Sequence, residues 1–210
     1  MSKAFTIFGG TGDLTFRKLL PALYNGSISG AESEDYQIII IGRREYTTEQ
    51  YCALAREWVQ KFARLPYSDR AFGRFASRIA YYRMDFSDHE AYRGLNRYYA
   101  GNRIGSHIFY FAVAPRFFSV ITEGLKLVDG AKNGKVIIEK PFGEDLAAAK
   151  TLNGELEDYF GPEQIYRIDH YLGKEMVRNI QAIRFTNPIF TDIWNSGHIE
   201  SVQISALEDM

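Results

Sequence analysis

Gly9-Gly10-Thr11-Gly12-Asp13-Leu14-Thr15 decides the fold, because it joins a short apolar run to a helical pattern. Residues 4–8 before it have the length and composition of a buried strand, and residues 14–24 after it place leucines on one helical face. Glycines at such a junction permit a tight turn and let the backbone approach a pyrophosphate, which the positive end of the following helix attracts. The spacing fits the dinucleotide-binding fingerprint except that Thr15 stands at the position of the last small residue. A turn without a ligand is the alternative, and the flanking strand and helix favour nucleotide binding.

Strand and helix patterns alternate outward from this turn. Strands are predicted at residues 4–8, 37–41, 79–84, 107–113 and 136–139, and helices at residues 14–24, 47–62, 89–100, 116–128 and 146–160. This alternation predicts an α/β fold of the Rossmann type, doubly wound, with a mostly parallel sheet and right-handed crossovers. Ligands bind such sheets beyond the carboxyl ends of the strands, where the strand order reverses. The strand ends that mark the predicted site are Gly9, Gly42, Asp85, Ala114 and Lys140.

The second strand indicates which nucleotide is bound, since it ends in Ile41-Gly42-Arg43-Arg44. Enzymes that use NAD usually place an acidic residue here, which binds the ribose 2′-hydroxyl. Two guanidinium groups would instead bind a 2′-phosphate, with bidentate geometry available to each. Glu45 follows only after the chain has turned away. The pattern therefore favours NADP over NAD, and a solvated basic turn is the alternative.

The alternation stops after Pro162. Residues 165–168 form a further short segment, a helix is predicted over residues 173–184, and Asn187-Pro188 is interpreted as a loop. Residues 199–207 alternate apolar and polar side chains, as a half-solvated strand does, and are interpreted as the first strand of a different, antiparallel sheet.

The predicted organisation is therefore an NADP-binding domain over residues 1–184 and, over residues 185–210, the start of a substrate and dimerisation domain of α+β type that is otherwise missing.

Composition excludes several classes of protein. The chain has 210 residues, 46% hydrophobic and 24% charged, which is typical of a globular domain and argues against disorder. The formal net charge of -1 does not indicate nucleic acid or an anionic membrane as a partner. The aliphatic run at residues 38–41 is too short to span a bilayer, and no signal peptide is recognisable, so a cytoplasmic protein is expected. The single cysteine, Cys52, is interpreted as a small core residue.

Two further blocks carry reactive side chains. Glu139-Lys140-Pro141-Phe142-Gly143 ends the fifth strand, which directs Lys140 into the crevice, and Pro141 restrains Lys140 to extended geometry and permits a cis bond. Residues 167–175 bring an acid, an imidazole, a phenol and an amine together at Asp169, His170, Tyr171 and Lys174. Such a cluster suits a phosphate monoester, and Asp169 suits the orientation of a catalytic histidine. A surface lysine and a structural histidine are the alternatives.

In their order and spacing, residues 9–14, 139–143 and 167–175 closely resemble the glucose-6-phosphate dehydrogenase family, and residues 113–115 and 187–190 fit as well. The resemblance covers essentially the whole chain and is most specific at residues 167–175. It implies an oxidoreductase of the pentose phosphate pathway that transfers hydride from C1 of glucose 6-phosphate to NADP.

The resemblance also implies roles for individual residues. It implies cofactor contacts for Gly9, Gly10, Thr11, Gly12, Asp13, Leu14, Arg43, Arg44, Asp85, Phe86 and Lys140. It implies contacts with the sugar phosphate for Lys140, His170, Tyr171, Lys174 and Glu208. Asp169 matches the acid that pairs with the catalytic histidine, and no metal site is implied.

The general base of this family is a histidine in an Asn-His block, and it removes the proton of the C1 hydroxyl. The four histidines here are His89, His107, His170 and His198, and none stands in such a block. We therefore expect this chain alone to lack meaningful turnover. A catalytically dead NADP-binding module and a half-site that another chain completes are the alternatives. Glucose 6-phosphate is the expected small-molecule partner, and a homo-oligomer or a complementing C-terminal fragment stays open.

Overall fold

The computed structural model describes residues 2–30, 36–143, 145–169 and 173–205. The chain divides into two compact units, Met1–Ile168 and Asp169–Met210. The predicted domain boundary between residues 184 and 185 falls inside the second unit and stays a prediction.

The first unit is built on one six-stranded parallel sheet with the strand order β3-β2-β1-β4-β5-β6. The strands are β1 (Ser2–Phe8), β2 (Tyr36–Gly42), β3 (Ile79–Arg83), β4 (Ile104–Phe111), β5 (Lys135–Glu139) and β6 (Ile165–Ile168). The order reverses between β1 and β4, as in a doubly wound dinucleotide-binding sheet. The predicted Rossmann-type fold is therefore confirmed.

Helices cover both faces of this sheet. One layer consists of α1 (Leu20–Ser29), α2 (Thr48–Phe62) and α3 (Asp69–Ala76), and the other of α4 (His89–Gly101), α5 (Phe118–Leu125) and α6 (Leu146–Glu157). Along β2, Ile38 and Ile40 pack into the first layer whereas Ile39 and Ile41 pack into the second. All four side chains are fully buried, which explains why this strand is uninterruptedly β-branched. Within the described ranges, no helix is both long and apolar enough to cross a membrane.

The start of α2 shows how local sequence places a turn of the site. Thr47 caps the helix, since its hydroxyl accepts a hydrogen bond from the Gln50 N–H at 3.2 Å and the Gln50 side chain accepts one from the Thr47 N–H at 2.9 Å. This reciprocal pair satisfies two N–H groups that the helix cannot bond internally. The predicted capping start is confirmed, and it fixes where the segment after β2 ends.

The helix that follows the glycine turn differs from its prediction. Residues 14–24 were expected to form one helix, but Thr15–Leu19 form a wide π-helical turn in which the Leu20 N–H donates to the Thr15 carbonyl. The chain then continues as α1 to Ser29. Pro21 lies at the start of α1 and has no N–H to give to the preceding turn, which is consistent with a break in the regular pattern there.

The second unit corrects two predictions. Asn187-Pro188 does not form a loop: it starts α8 (Pro188–Ile193), because the Asn187 side chain caps the Ile189 N–H at 3.2 Å and proline suits the first helical position. The preceding helix, α7 (Glu175–Thr186), lies close to its predicted range. The strand predicted over residues 199–207 is absent from residues 199–205, which have no regular secondary structure, and its end lies outside the described residues.

An alternating pattern becomes a strand only when a neighbouring strand pairs with its backbone. The described part of the chain offers residues 199–205 no such neighbour, and the side chains of Val202 and Ile204 remain 73% and 87% exposed.

Candidate functional site

A cleft of about 400 Å³ lies at the carboxyl ends of β1, β2, β3 and β4, which includes the point where the strand order reverses. Its walls combine the glycine turn, the arginine turn after β2, and the segments that follow β3 and β4. The lining residues are Gly9, Thr11, Gly12, Gly42, Arg43, Arg44, Met84, Asp85, Phe86, Ala112, Val113, Ala114, Arg116 and Phe117. The fold thus brings together seven of the predicted cofactor residues in one cavity.

The three glycines of the turn have different physical roles. Gly9 has a φ of +88°, and a Cβ there would lie 2.2 Å from the Ala112 carbonyl oxygen. At Gly10 a Cβ would lie 2.1 Å from Cγ2 of Ile40, so this glycine allows the turn to pack on β2. A Cβ at Gly12 would meet a single described atom within 4 Å, the Gly9 carbonyl oxygen at 3.2 Å. Gly9 and Gly10 therefore shape the turn, whereas Gly12 leaves room for a ligand to approach.

Thr15 occupies the position where the fingerprint has a small residue, and the structure explains how it is accommodated. Its side chain is fully buried, and its hydroxyl donates to the Gly9 carbonyl at 3.2 Å. The Gly12 N–H donates to the same carbonyl at 3.0 Å. The hydroxyl therefore ties the first helical turn to the glycine turn, so the departure from the fingerprint is compatible with its geometry.

Arg43 and Arg44 are exposed and line the cleft beside the glycine turn. The carboxylate that follows them, on Glu45, forms an ion pair with Arg83 at 2.7 Å and is not among the lining residues. One acidic residue, Asp85, does line the cleft, and its carboxylate accepts a hydrogen bond from the Ser87 N–H at 2.9 Å. The turn after β2 thus contributes both arginines to the lining of the cavity.

An aromatic wall closes the other side of the cleft. The Phe86 ring contacts Phe8 and Phe117 edge to face, with ring centroids 5.9 and 5.7 Å apart. Phe117 belongs to a single 3-10 turn, Pro115–Phe117, that follows β4. Sequence reasoning named Phe86 but missed Phe117, Arg116 and Met84. The signal available was their place shortly after β3 and β4, whose carboxyl ends face the cleft.

A second cavity of about 290 Å³ shares the wall formed by residues 112–114 and extends toward β5. It is lined by Leu14, Phe111, Ala112, Val113, Ala114, Pro115, Glu139, Lys140 and Pro141. The Lys140–Pro141 peptide bond is cis. The Glu139 carboxylate accepts a hydrogen bond from the Tyr110 hydroxyl. Burial, and then the charge of Glu139, raise the pKa of Tyr110, so the phenol keeps its proton and fixes the carboxylate beside Lys140.

Four other predicted residues lie elsewhere in the described structure. Gly10 and Asp13 line neither cavity, and Asp13 forms an exposed ion pair with Arg17 at 3.6 Å. Asp169 and Lys174 belong to the second unit, where Lys174 has extended backbone and immediately precedes α7. Lys174 is therefore the N-cap residue of α7, at the edge of the helix predicted over residues 173–184. His170, Tyr171 and Glu208 lie outside the described residues.

Comparison with known proteins identifies the family. Residues 6–179 match the family described as "Glucose-6-phosphate dehydrogenase, NAD binding domain". Glucose-6-phosphate 1-dehydrogenases of Rhizobium meliloti and Gluconobacter oxydans are 38% and 42% identical over 208 and 212 residues, which is 97% of this chain in both cases. A solved glucose-6-phosphate dehydrogenase in complex with its substrate glucose-6-phosphate is similar over 93% of this chain, with 32% identity and a TM-score of 0.81.

The chain spans 42% of the length of each of these three relatives. The matched portion is the dinucleotide-binding domain, and it contains both cavities described above. Fold, cleft and sequence agreement lead to one assignment: the chain belongs to the glucose-6-phosphate dehydrogenase family.

Proposed function

We propose that this chain binds NADP in preference to NAD and supplies the cofactor-binding half of an enzyme that oxidises glucose 6-phosphate at C1. The observation that carries the proposal is the joint presence of the glycine turn and of Arg43 and Arg44 in one cleft. The nicotinamide of bound NADP supplies the hydride acceptor. The residues of this chain bind and orient the two ligands.

The charge distribution supports a 2′-phosphate beside the arginine turn. A phosphate ester is recognised best by planar guanidinium groups that donate two parallel hydrogen bonds. The nearest carboxylate in sequence, on Glu45, is already paired with Arg83, which lowers its repulsion of an incoming phosphate. The 2′-hydroxyl of NAD is neutral and would gain much less from these two cations than a 2′-phosphate would.

The glycine turn supports the pyrophosphate. Gly12 is open on the side away from the Gly9 carbonyl, and the helical segment that begins at Thr15 directs its positive end toward this part of the cleft. Backbone N–H groups at such a helix start bind phosphate oxygens without discriminating between NAD and NADP. Selectivity therefore falls to the arginine turn.

Lys140 is proposed to serve both ligands from the second cavity. It lies with Leu14 and residues 112–115, and the carboxylate of its neighbour Glu139 is fixed by Tyr110. The sugar phosphate is assigned to His170, Tyr171 and Lys174, with Glu208 on the sugar hydroxyls and Asp169 orienting the base. The family match over residues 6–179 supports the assignments of residues 169–174, and the solved relative with bound glucose-6-phosphate supports the choice of ligand.

Calorimetric titration of residues 1–210 with NADP and with NAD tests the cofactor assignment. The double variant Arg43→Ala/Arg44→Ala is expected to weaken NADP binding by roughly 10- to 100-fold, since hydrogen bonds to charged groups contribute about 1.5–3 kcal/mol. NAD binding should change by less than about threefold, because NAD has no 2′-phosphate for these charges. The matched control is Arg70→Ala, because Arg70 is an exposed arginine on α3 that does not line the cleft. Equal affinity of the wild type for both nucleotides would contradict the assignment.

Turnover is a separate question with a separate assay. Residues 1–210 are expected to reduce NADP with glucose 6-phosphate at a rate lower than that of an intact relative by at least roughly 10²–10⁴, the usual contribution of a general base. The expectation is based on the four histidines, none of which stands in an Asn-His block. A rate within tenfold of the intact relative would refute it. Rescue of turnover by a complementing C-terminal fragment would support a shared active site.

A further inference from the structure

Tyr81, on β3, contacts two residues of the arginine turn (residues 43–47) and the first residue of α2. Its hydroxyl donates a hydrogen bond to the Arg44 carbonyl at 2.7 Å. Its ring meets Tyr46 edge to face, with centroids 5.8 Å apart. Its backbone N–H donates to the Thr48 hydroxyl at 3.1 Å. The turn between β2 and α2, together with the first residue of α2, is thus attached to β3 at Arg44, Tyr46 and Thr48.

Tyr51 makes the corresponding contact with the glycine turn. Its ring stacks on Tyr81 with centroids 5.1 Å apart and planes inclined by 20°. Its hydroxyl donates to the Gly10 carbonyl at 2.6 Å, and the side chain is fully buried. The two stacked tyrosines therefore reach the two adjacent turns that line the cofactor cleft, one turn for each hydroxyl.

Gly42 is where these parts meet. A Cβ at this position would lie 2.8 Å from Cγ2 of Thr11 and 2.8 Å from the Tyr81 hydroxyl oxygen. The glycine turn, the end of β2 and Tyr81 are therefore in direct packing contact, with no space for an additional methyl group. A displacement of the Tyr81 hydroxyl would be transmitted to the backbone that carries Arg43 and Arg44.

We propose that Tyr81 is a specificity-determining positioning residue, which fixes the backbone of the arginine turn so that both guanidinium groups meet the 2′-phosphate of NADP. The inference rests on the proposed NADP preference and names a residue that acts on it through Arg44. Arginine side chains are long and mobile, so binding a phosphate with both groups requires a fixed starting point for each. The hydrogen bond to the Arg44 carbonyl supplies that point.

Burial raises the pKa of Tyr81, so the hydroxyl remains a donor over the usual pH range. Loss of this hydroxyl should therefore weaken the binding of the 2′-phosphate, which is the ligand group that the arginines hold. NAD lacks this group and depends on the glycine turn, to which Tyr81 is linked indirectly, through the Tyr51 ring and packing at Gly42.

The test is Tyr81→Phe, which keeps the ring and removes the hydroxyl. Tyr82→Phe is the matched control, because Tyr82 is the next residue of β3, is also half-buried, and donates to the Ala91 carbonyl at 3.3 Å on the other face of the sheet. Dissociation constants for NADP and NAD are measured by calorimetry for the wild type and both variants. Tyr81→Phe should weaken NADP binding roughly two- to tenfold, as expected for one neutral hydrogen bond, and NAD binding by less than about twofold. Tyr82→Phe should leave the ratio of the two constants unchanged.

The ratio of the two dissociation constants distinguishes positioning from general stability, since a merely structural role lowers the melting temperature without moving the ratio. Equal weakening of NADP and NAD by Tyr81→Phe, or no weakening, would overturn the inference. If the wild type prefers NADP and loses that preference in Arg43→Ala/Arg44→Ala but not in Tyr81→Phe, the proposed function stands and the inference alone fails. If the wild type shows no preference, both fail together.

Discussion

Replacing Gly9 and Gly12 one at a time by alanine should separate folding from nucleotide binding within a single turn. At Gly9 the backbone has a φ of +88°, which costs an L-residue about 1–2 kcal/mol. The new Cβ would also lie 2.2 Å from the Ala112 carbonyl oxygen and 2.7 Å from Cγ1 of Val113. Overpacking of this kind costs about 1–3 kcal/mol, so Gly9→Ala should lower the free energy of unfolding by about 2–5 kcal/mol.

Gly12→Ala is the contrasting variant. The φ at Gly12 is not in the positive range, and the only described atom within 4 Å of a Cβ is the Gly9 carbonyl oxygen at 3.2 Å. A shift of a few tenths of an ångström removes this contact. Alanine also lowers the conformational entropy of the unfolded chain, which stabilises the folded state by about 0.4–1 kcal/mol. Stability should therefore change by less than about 1 kcal/mol. Nucleotide affinity should fall at least roughly tenfold, because the methyl group occupies space that a phosphate needs and one charge-assisted hydrogen bond contributes about 1.5–3 kcal/mol.

The assay combines thermal unfolding with NADP titration on both variants. For a domain of this size about 2–4 °C corresponds to 1 kcal/mol, so Gly9→Ala should melt roughly 4–20 °C lower and Gly12→Ala within about 4 °C of the wild type. Two results would refute the reasoning. One is a Gly12→Ala variant that binds NADP within threefold of the wild type, and the other is a melting temperature lowered equally by both substitutions.

Three further variants test the structure outside the cleft. Gly154→Ala, in α6 with no described atom beyond the backbone of its own helix within 4 Å of the new Cβ, should raise the free energy of unfolding by about 0.5–1 kcal/mol in urea titration, and a loss of stability would contradict the open geometry. Thr6→Val removes a buried hydrogen bond of 2.7 Å to the Tyr99 hydroxyl and should lower the free energy of unfolding by about 1–3 kcal/mol in the same assay. An unchanged free energy of unfolding would show that this bond does not contribute to stability. Burial lowers the pKa of His107 below 6.5, although the Asp129 backbone acts in the opposite direction, so the folded state binds this proton less readily than the unfolded one. Stability should therefore be complete above pH 6.5 and fall as the pH decreases through that value and the lower folded pKa. His107→Phe should reduce the stability difference between pH 7.5 and pH 5, and an unchanged difference would count against it.

The fold could be predicted because its strands and most of its helices carry local signals. Residues 38–41 are β-branched without interruption since both faces of β2 are covered, and Thr47 with Gln50 forms the expected cap. Helix α3 was missed because it is only eight residues long and its burial depends on Phe72 and Phe75, too few apolar residues to establish a period. The strand that is absent from residues 199–205 had the opposite cause: its period was clear, but a strand also requires a partner.

The site could be predicted in part: residues that belong to local sequence motifs could be predicted, and residues that the strand order brings to the cleft could not. Gly9, Gly12, Arg43 and Arg44 belong to short local motifs that, with their flanking strands and helix, favour phosphate recognition, and the structure places all four at one cleft. Phe117 could not be predicted from such spacing, because it reaches the cleft only when the turn after β4 packs against the segment after β3. A sequence motif identifies residues that lie in one segment of the chain. A cleft wall that is built from the ends of several strands depends on the strand order, which no single motif specifies.

Tyr81 illustrates why we expect the preference of such a site for NADP over NAD to depend on more than its arginines. In the sequence it is one of two adjacent tyrosines, and only the strand register, which pairs Tyr81 with Ile40 and Tyr82 with Ile41, decides which hydroxyl faces the arginine turn. The contact that results is with the Arg44 carbonyl, so any residue at position 44 would receive it. The position of the turn is therefore set by β3 and the charge by residues 43 and 44. Grafting two arginines onto the same strand end of a related domain should confer NADP preference only where a hydroxyl on the adjacent strand holds the backbone of the turn.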